Sequence, residues 1–262
     1  MQIPIYQIDA FTSERFKGNP AAVCLLDGWL PDDLLQNIAQ ENNLSETAFL
    51  VPVGDSYAIR WFTPTVEVDL CGHATLASAY VILNEVLPDK GAANMVTFTS
   101  KSGALTVSQD AELLVMDFPA TEAAPCDTPQ AIVEAFAKEP IETYKSNDYM
   151  VVYDDEQVIA SLSPDYSILA RLECRGIIAT SRGECSDFVS RFFAPRCGIN
   201  EDPVTGSAHC TLTPYWAKKL QKNRLSARQL SKRGGELVCE FRGDRVMLSG
   251  SAVKVLEGRL YI

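Results

Sequence analysis

Two short segments hold most of the side chains that could do chemistry. They are Asp69-Leu70-Cys71-Gly72-His73-Ala74-Thr75 and Asp202-Pro203-Val204-Thr205-Gly206-Ser207-Ala208-His209-Cys210. In each, a glycine opens a stretch that reads as a helix. Glycine permits close backbone approach, and the first amides of a helix have no partner inside it. Such an end attracts an anion, by about 0.3–1 kcal/mol when exposed and up to about 2 kcal/mol when partly buried. Two ends aimed at one carboxylate would give about 4 kcal/mol at most. That can hold an acid group, through Gly72, His73 and Ala74 on one side and Gly206 and Ser207 on the other. It does not explain catalysis, so a proton-transfer group supplying about 10²–10⁴-fold is also required.

Three residues qualify for that role. Glu46, in Asn42-Asn43-Leu44-Ser45-Glu46-Thr47, stands just before a strand-like run. From its residues alone it reads first as a surface or capping carboxylate. Asp202 precedes Pro203, a pair that is also plain turn chemistry. His73, one of two histidines in the chain, lies in the first helical turn, where it could simply cap. Ser207 is most simply an N-cap that could equally donate to a ligand.

The elements that must position these groups come in two copies. Arg60-Trp61-Phe62-Thr63-Pro64 returns as Arg191-Phe192-Phe193-Ala194-Pro195, a shift of 131 residues, half of the 262 in the chain. Ser100-Lys101-Ser102-Gly103 returns as Ser231-Lys232-Arg233-Gly234, and Val115-Met116 as Val246-Met247, in the same register. A period this long implies a duplicated domain, because solenoid repeats are far shorter. Strands are expected at 3–8, 21–26, 48–51, 95–99, 113–118, 176–179, 188–193, 236–241 and 246–255. Pro31 opens an amphipathic helix. The stretches after Gly72 and Gly206 are apolar on nearly every side, as helices buried inside a lobe would be, with Pro214 interrupting the second. The reading is α+β: two pseudo-twofold-related lobes, 1–118 and 119–262, each a curved, mostly antiparallel sheet around a central helix. The last strand, 258–262, could pair back with the first lobe. The two glycine junctions would then face across one cleft.

The apolar share is 47% and the charged share 22%, ordinary values for a globular protein. A net charge of −11 argues against nucleic acid or an anionic membrane as the main partner. No apolar run approaches membrane-spanning length and no signal peptide is evident. The eight scattered cysteines, without a C-x-x-C pair, fit reduced thiols and a cytoplasmic location.

Together, Asn43-Leu44-Ser45-Glu46, Arg60-Trp61-Phe62-Thr63-Pro64, Cys71-Gly72-His73-Ala74-Thr75 and Glu201 through His209 resemble the PhzF-like family of phenazine biosynthesis. The opening Asp9-Ala10-Phe11-Thr12 and Gly18-Asn19-Pro20-Ala21-Ala22-Val23 are similar to its usual N-terminus. The resemblance runs nearly end to end. It implies the diaminopimelate-epimerase fold, a homodimer, no cofactor and no metal. It also implies isomerase chemistry on a small carboxylic acid bound between the lobes. A glutamate moves the proton, assisted by a histidine, an aspartate and a serine, which map onto Glu46, His73, Asp202 and Ser207; Asn19 joins the substrate-binding set. Phenazine-pathway members carry Ala-Gly-His-Pro where this chain has Cys71-Gly72-His73-Ala74, which places it among the broader homologues.

Three other readings stay open to the sequence. A two-thiol racemase would use Cys71, although Thr205 stands at the matching position. A zinc site could draw on Cys71, His73, His209 and Cys210. A duplicated fold could also serve as a binding module without catalysis.

Overall fold

The computed structural model describes residues 1–87 and 94–262. The chain divides into two compact units, Met1–Asp117 with Ser249–Ile262, and Phe118–Leu248.

In the first unit, β1 (Gln2–Ala10) pairs antiparallel with β2 (Asn19–Leu25), and α1 (Asp32–Asn42) leads to β3 (Glu46–Val53), parallel to β2. Then β4 (Ser56–Phe62) turns back against β3, and the short β5 (Glu67–Val68) turns against β4. Helix α2 (Gly72–Val81) follows, continuing through a π-helical turn, Ile82–Val86. The strand β6 (Met95–Ser100) lies parallel to β4 and forms a hairpin with β7 (Gly103–Asp110), against which β8 (Leu113–Pro119) pairs.

The second unit repeats this order. It opens with β9 (Ala124–Pro125), α3 (Gln130–Phe136) and β10 (Glu142–Lys145). β10 is antiparallel to β11 (Tyr149–Val152). Two short helices, α4 (Glu156–Ser161) and α5 (Tyr166–Leu169), stand where α1 stood, and β12 (Ile177–Arg182) is parallel to β11. β13 (Phe188–Ala194) is antiparallel to β12 and to β14 (Ile199–Asp202). After α6 (Gly206–Leu220), β15 (Arg224–Gln229) runs parallel to β13 and pairs with β16 (Gly235–Phe241). The chain ends with β17 (Arg245–Gly250) and β18 (Ala252–Tyr261).

The expected α+β duplication is therefore present strand for strand. The Ser100–Gly103 and Ser231–Gly234 repeats are the β6–β7 and β15–β16 turns, with Gly103 at φ 98° and Gly234 at φ 68°. A non-glycine residue is strained there. In α2, residues 73–79 and Val81 are all buried, and α6 is buried along most of its length. A helix apolar all round has no solvent face to offer, so each sheet curls about its own.

Two sequence expectations need correction and a third is extended. The run 246–255 is two strands broken at Ser251, not one. The return of the last strand to the first unit, left open for 258–262, takes in the whole segment from Ser249, because β18 pairs with β1 from Gln2↔Tyr261 to Ala10↔Ala252. Pro214 does not interrupt α6. It cannot supply the amide that Cys210 O would normally accept, but the Thr121 amide donates to that carbonyl at 3.0 Å. The orphaned acceptor is satisfied from outside the helix, so the helix continues to Leu220.

The repeated arginines explain why their motif recurs. Arg60 donates from Nε and Nη2 to Glu67 at 2.7 and 2.9 Å, and Arg191 likewise to Glu201 at 2.6 and 3.0 Å. Each fork clamps a carboxylate of the following short strand while its guanidinium lies over Phe62 or Phe193. The clamp fixes the strand that feeds the buried helix. Arg60, against the opposition of burial and with help from Lys101, holds the Glu67 carboxyl at about 2. A carboxyl lowered on folding contributes stability above its unfolded pKa of roughly 4.5 and loses it as pH falls toward 2. Urea midpoints measured between pH 6 and pH 3 should fall more for the native chain than for Glu67→Gln. Parallel curves would show that the pair carries no linkage.

Candidate active site

Each candidate occupies an element boundary. α1 ends at Asn43, in the left-handed region at φ 49°, and after two residues Glu46 is the first residue of β3. It is neither an N-cap nor a free surface carboxylate, since its side chain is 12% exposed. Asn19 is the first residue of β2 and is fully buried. Cys71 is the N-cap of α2, and His73 is the second residue of that helix, also buried.

These four side chains meet inside the first unit. His73 Nε2 lies 3.2 Å from Glu46 Oε2, on the other side of the ring Asn19 Nδ2 is 3.2 Å from Nδ1, and Cys71 Sγ is 3.5 Å from Nδ1. With the Asn19 amide donating to Nδ1, the ring proton sits on Nε2, facing the carboxylate. Turning that amide would present its oxygen to a protonated Nδ1. Despite their separation, Nε2 and Oε2 are not aligned as a hydrogen bond, and both are buried without a hydrogen-bond partner among the described residues. They face each other as an ion pair without the geometry of a hydrogen bond, so each keeps hydrogen-bonding capacity that a bound molecule could use.

Burial by itself would push the His73 imidazole down, but Cys71 and Glu46 outweigh it and the net direction is up. Burial, followed by Glu46, pushes the Cys71 thiol up. The upward direction favours a second proton on the histidine.

Gly18 positions Asn19. Its φ is +64°, and a Cβ there would lie 2.2 Å from Ala10 O and 2.7 Å from Thr12 Cγ2. Gly18→Ala should cost about 1–3 kcal/mol in backbone strain alone and displace the Asn19 amide from His73. Thermal unfolding together with the ¹⁵N shifts of the His73 ring would read both effects. Unchanged values in both would remove Gly18 from this role.

The second unit arranges its candidates differently. Asp202 is the last residue of β14, and its Oδ2 accepts from Thr205 Oγ1 at 2.5 Å. Gln229 braces the same turn, accepting from Thr205 N at 2.9 Å and donating to Asp202 O at 2.7 Å. The N-cap of α6 is Thr205, so Ser207 is not the cap expected of it. Ser207 is exposed and accepts from Arg175 Nη1 at 3.0 Å. Arg175 is in turn forked onto the buried Asp148. Sequence reasoning overlooked Arg175, Asp148 and Gln229, because nothing in their local spacing distinguishes them from surface polar residues.

His209 is structural. Its Nδ1 donates to Thr205 O at 2.8 Å, and burial pushes its pKa down to about 4. Cys210 is buried as well, its thiol pushed up to about 12. Of the four residues named for a zinc site, His209 thus has its Nδ1 committed to Thr205 O.

The ladders show how far the copies have diverged at their chemical positions. Phe49 faces Arg60 and Ala179 faces Arg191, so the counterpart of Glu46, three residues earlier, is Gly176. Gly72 matches Gly206 as the first residue of the central helix. His73 therefore corresponds to Ser207, and the N-cap Cys71 to Thr205. A carboxylate, an imidazole and a thiol in one copy become a glycine and two hydroxyls in the other.

Residues 8–258 match the family described as phenazine biosynthesis-like protein. The chain belongs to this family. It is 52% identical over 262 residues to a Pseudomonas aeruginosa protein called an uncharacterized isomerase, with all of both chains covered. A crystal structure of a PhzF family protein from Enterococcus faecalis is 47% identical, covers 100% of both chains and superposes with a TM-score of 0.97. A hydroxyproline epimerase from Agrobacterium vitis shares the fold at 10% identity and a TM-score of 0.65, over 99% of this chain and 91% of that one. The fold inferred from the PhzF-like resemblance is thus the observed one. Among the described residues, no helix is long and apolar enough to cross a membrane.

Proposed function

We propose that this member of the phenazine biosynthesis-like family is an isomerase that moves a proton between positions of a small carboxylic acid without a cofactor. Glu46 takes the proton from carbon and returns it elsewhere. His73 adjusts its own protonation beside it, and Asn19 fixes the ring. The amides of His73 and Ala74, which have no carbonyl partner within α2, are the anion-holding donors. In the second unit Asp202 is assigned a further acid–base role, and Ser207 with the amides after Gly206 a further anion-holding one.

The observation that carries this reading is the buried ion pair of Glu46 Oε2 and His73 Nε2, 3.2 Å apart at the start of a helix and without a hydrogen bond to either atom among the described residues. A two-thiol racemase fits less well, since the residue equivalent to Cys71 is Thr205, which has a hydroxyl. The test is deuterium uptake from D2O into a panel of small carboxylic acids. Exchange in the native chain and its loss in Glu46→Gln support the proposal. Saturable binding without exchange would favour a binding module instead.

A further inference from the structure

We propose that Glu46, Cys71 and His73 also form a binding site for one divalent ion of the zinc class, and that the bound ion blocks the proton transfer assigned above. Binding stands on geometry alone; only the inhibitory clause rests on the proposed function. One donor atom from each residue lies within 4.8 Å of the other two, and the cluster is largely shielded from solvent. Cys71 Sγ and His73 Nδ1 are 3.5 Å apart. Two ligands of a tetrahedral zinc ion, at about 2.3 Å for sulfur and 2.0–2.1 Å for nitrogen, stand about 3.5–3.6 Å apart. That bite is present, and the ion would displace the Asn19 amide from Nδ1.

A further feature of the same cluster points the same way. Glu46 Oε2 and His73 Nε2 are buried 3.2 Å apart as an ion pair, with neither atom in a hydrogen bond among the described residues. With the ion on Nδ1, Glu46 reaches it by swinging away from Nε2, or acts through the ring it orients, as carboxylates orient ligating histidines. A thiolate, an imidazole and a carboxylate together suit zinc better than magnesium or calcium, which prefer oxygen alone. Three protein ligands leave a fourth position open. On binding, the Cys71 sulfur forms the metal bond and its proton leaves to solvent. The ion then occupies the lone pairs that Glu46 and His73 need for substrate. The duplicated position cannot do this, because its equivalents are Gly176, Thr205 and Ser207.

The experiment titrates the metal-free full chain with Co²⁺ and Zn²⁺ under reducing conditions. The expected result is one ion per chain, with the intense thiolate-to-cobalt absorption band that a Cys–Co²⁺ bond produces. Cys71→Ser should abolish the band, and each of Cys71→Ser, His73→Asn and Glu46→Gln should weaken zinc at least about tenfold. Far-UV circular dichroism confirms that each variant folds. Zinc should stop deuterium exchange in the native chain, and a chelator should restore it. Absence of stoichiometric binding, or binding undiminished in folded Cys71→Ser, overturns the site. Binding with intact exchange overturns only the inhibition. A cobalt band in a chain that never exchanges deuterium upholds the ion site and discards the isomerase reading, so the two failures are distinct.

Discussion

Glu46→Gln should abolish measurable proton exchange while leaving the chain folded, with a loss of about 10²–10⁴-fold. The amide keeps the shape of the carboxylate and its place at the start of β3, so the sheet has no reason to move. What is lost is the basic oxygen beside His73 Nε2 and its negative charge. Because Glu46, after Cys71, is one of the two groups that push the imidazole up against burial, the His73 pKa, followed by NMR, should fall in the variant. This second readout separates a proton-transfer role from simple damage. If exchange fell with the His73 titration unmoved, the two groups would not be coupled. If exchange persisted at the native rate, Glu46 would not be the base.

Arg191→Met should destabilise the fold severely, by about 3–5 kcal/mol, whereas Arg60→Met should cost distinctly less. The two arginines hold equivalent positions, yet their surroundings differ. Arg191 is 8% exposed, forked onto Glu201, and its Nη1 also donates to Ile159 O at 3.2 Å and Leu162 O at 2.6 Å. Removing it leaves a partly buried carboxylate and the Leu162 carbonyl without this donor, while the Ile159 carbonyl keeps the Leu162 amide at 3.4 Å. Arg60 makes the same fork, but its third partner is Asp32, whose side chain is 78% exposed and can return to water. Surface partners of that kind contribute about 0–1 kcal/mol. Urea unfolding of the two variants side by side would measure the difference. Equal losses would mean that the carbonyl contacts of Arg191 contribute nothing. The double variant Arg191→Met/Glu201→Leu should recover part of the loss, because no carboxylate then remains without its partner.

Much of this was legible in the chain itself. The duplication could be read because the arginine clamp and the serine–glycine turn impose local demands that few residue types meet. A guanidinium fork needs arginine, and a positive φ favours glycine. The apolar character of the two central helices was equally plain, since burial on every side leaves no polar face to write. Four ordered motifs identified the family, and with it Glu46 and His73 as candidates. Their residue types alone left Glu46 open to a capping or surface role.

Only tertiary structure decided the rest. Nothing local assigns β18 to β1, since a strand's pattern names the face it buries and not the partner it pairs with. Nor does the sequence reveal that Thr121 satisfies the carbonyl freed by Pro214, or that His209 is committed to Thr205 O. These are contacts between residues distant in the chain or hidden on a helix flank. The proton-transfer chemistry depends on the same kind of fact. Glu46, Asn19, Cys71 and His73 are spread over 55 positions, and their approach within 3.2–3.5 Å arises because two strand starts and one helix start meet at the same end of a curved sheet. The chain specified which groups were present; the packing set their distances, and distance fixes what protons they can exchange.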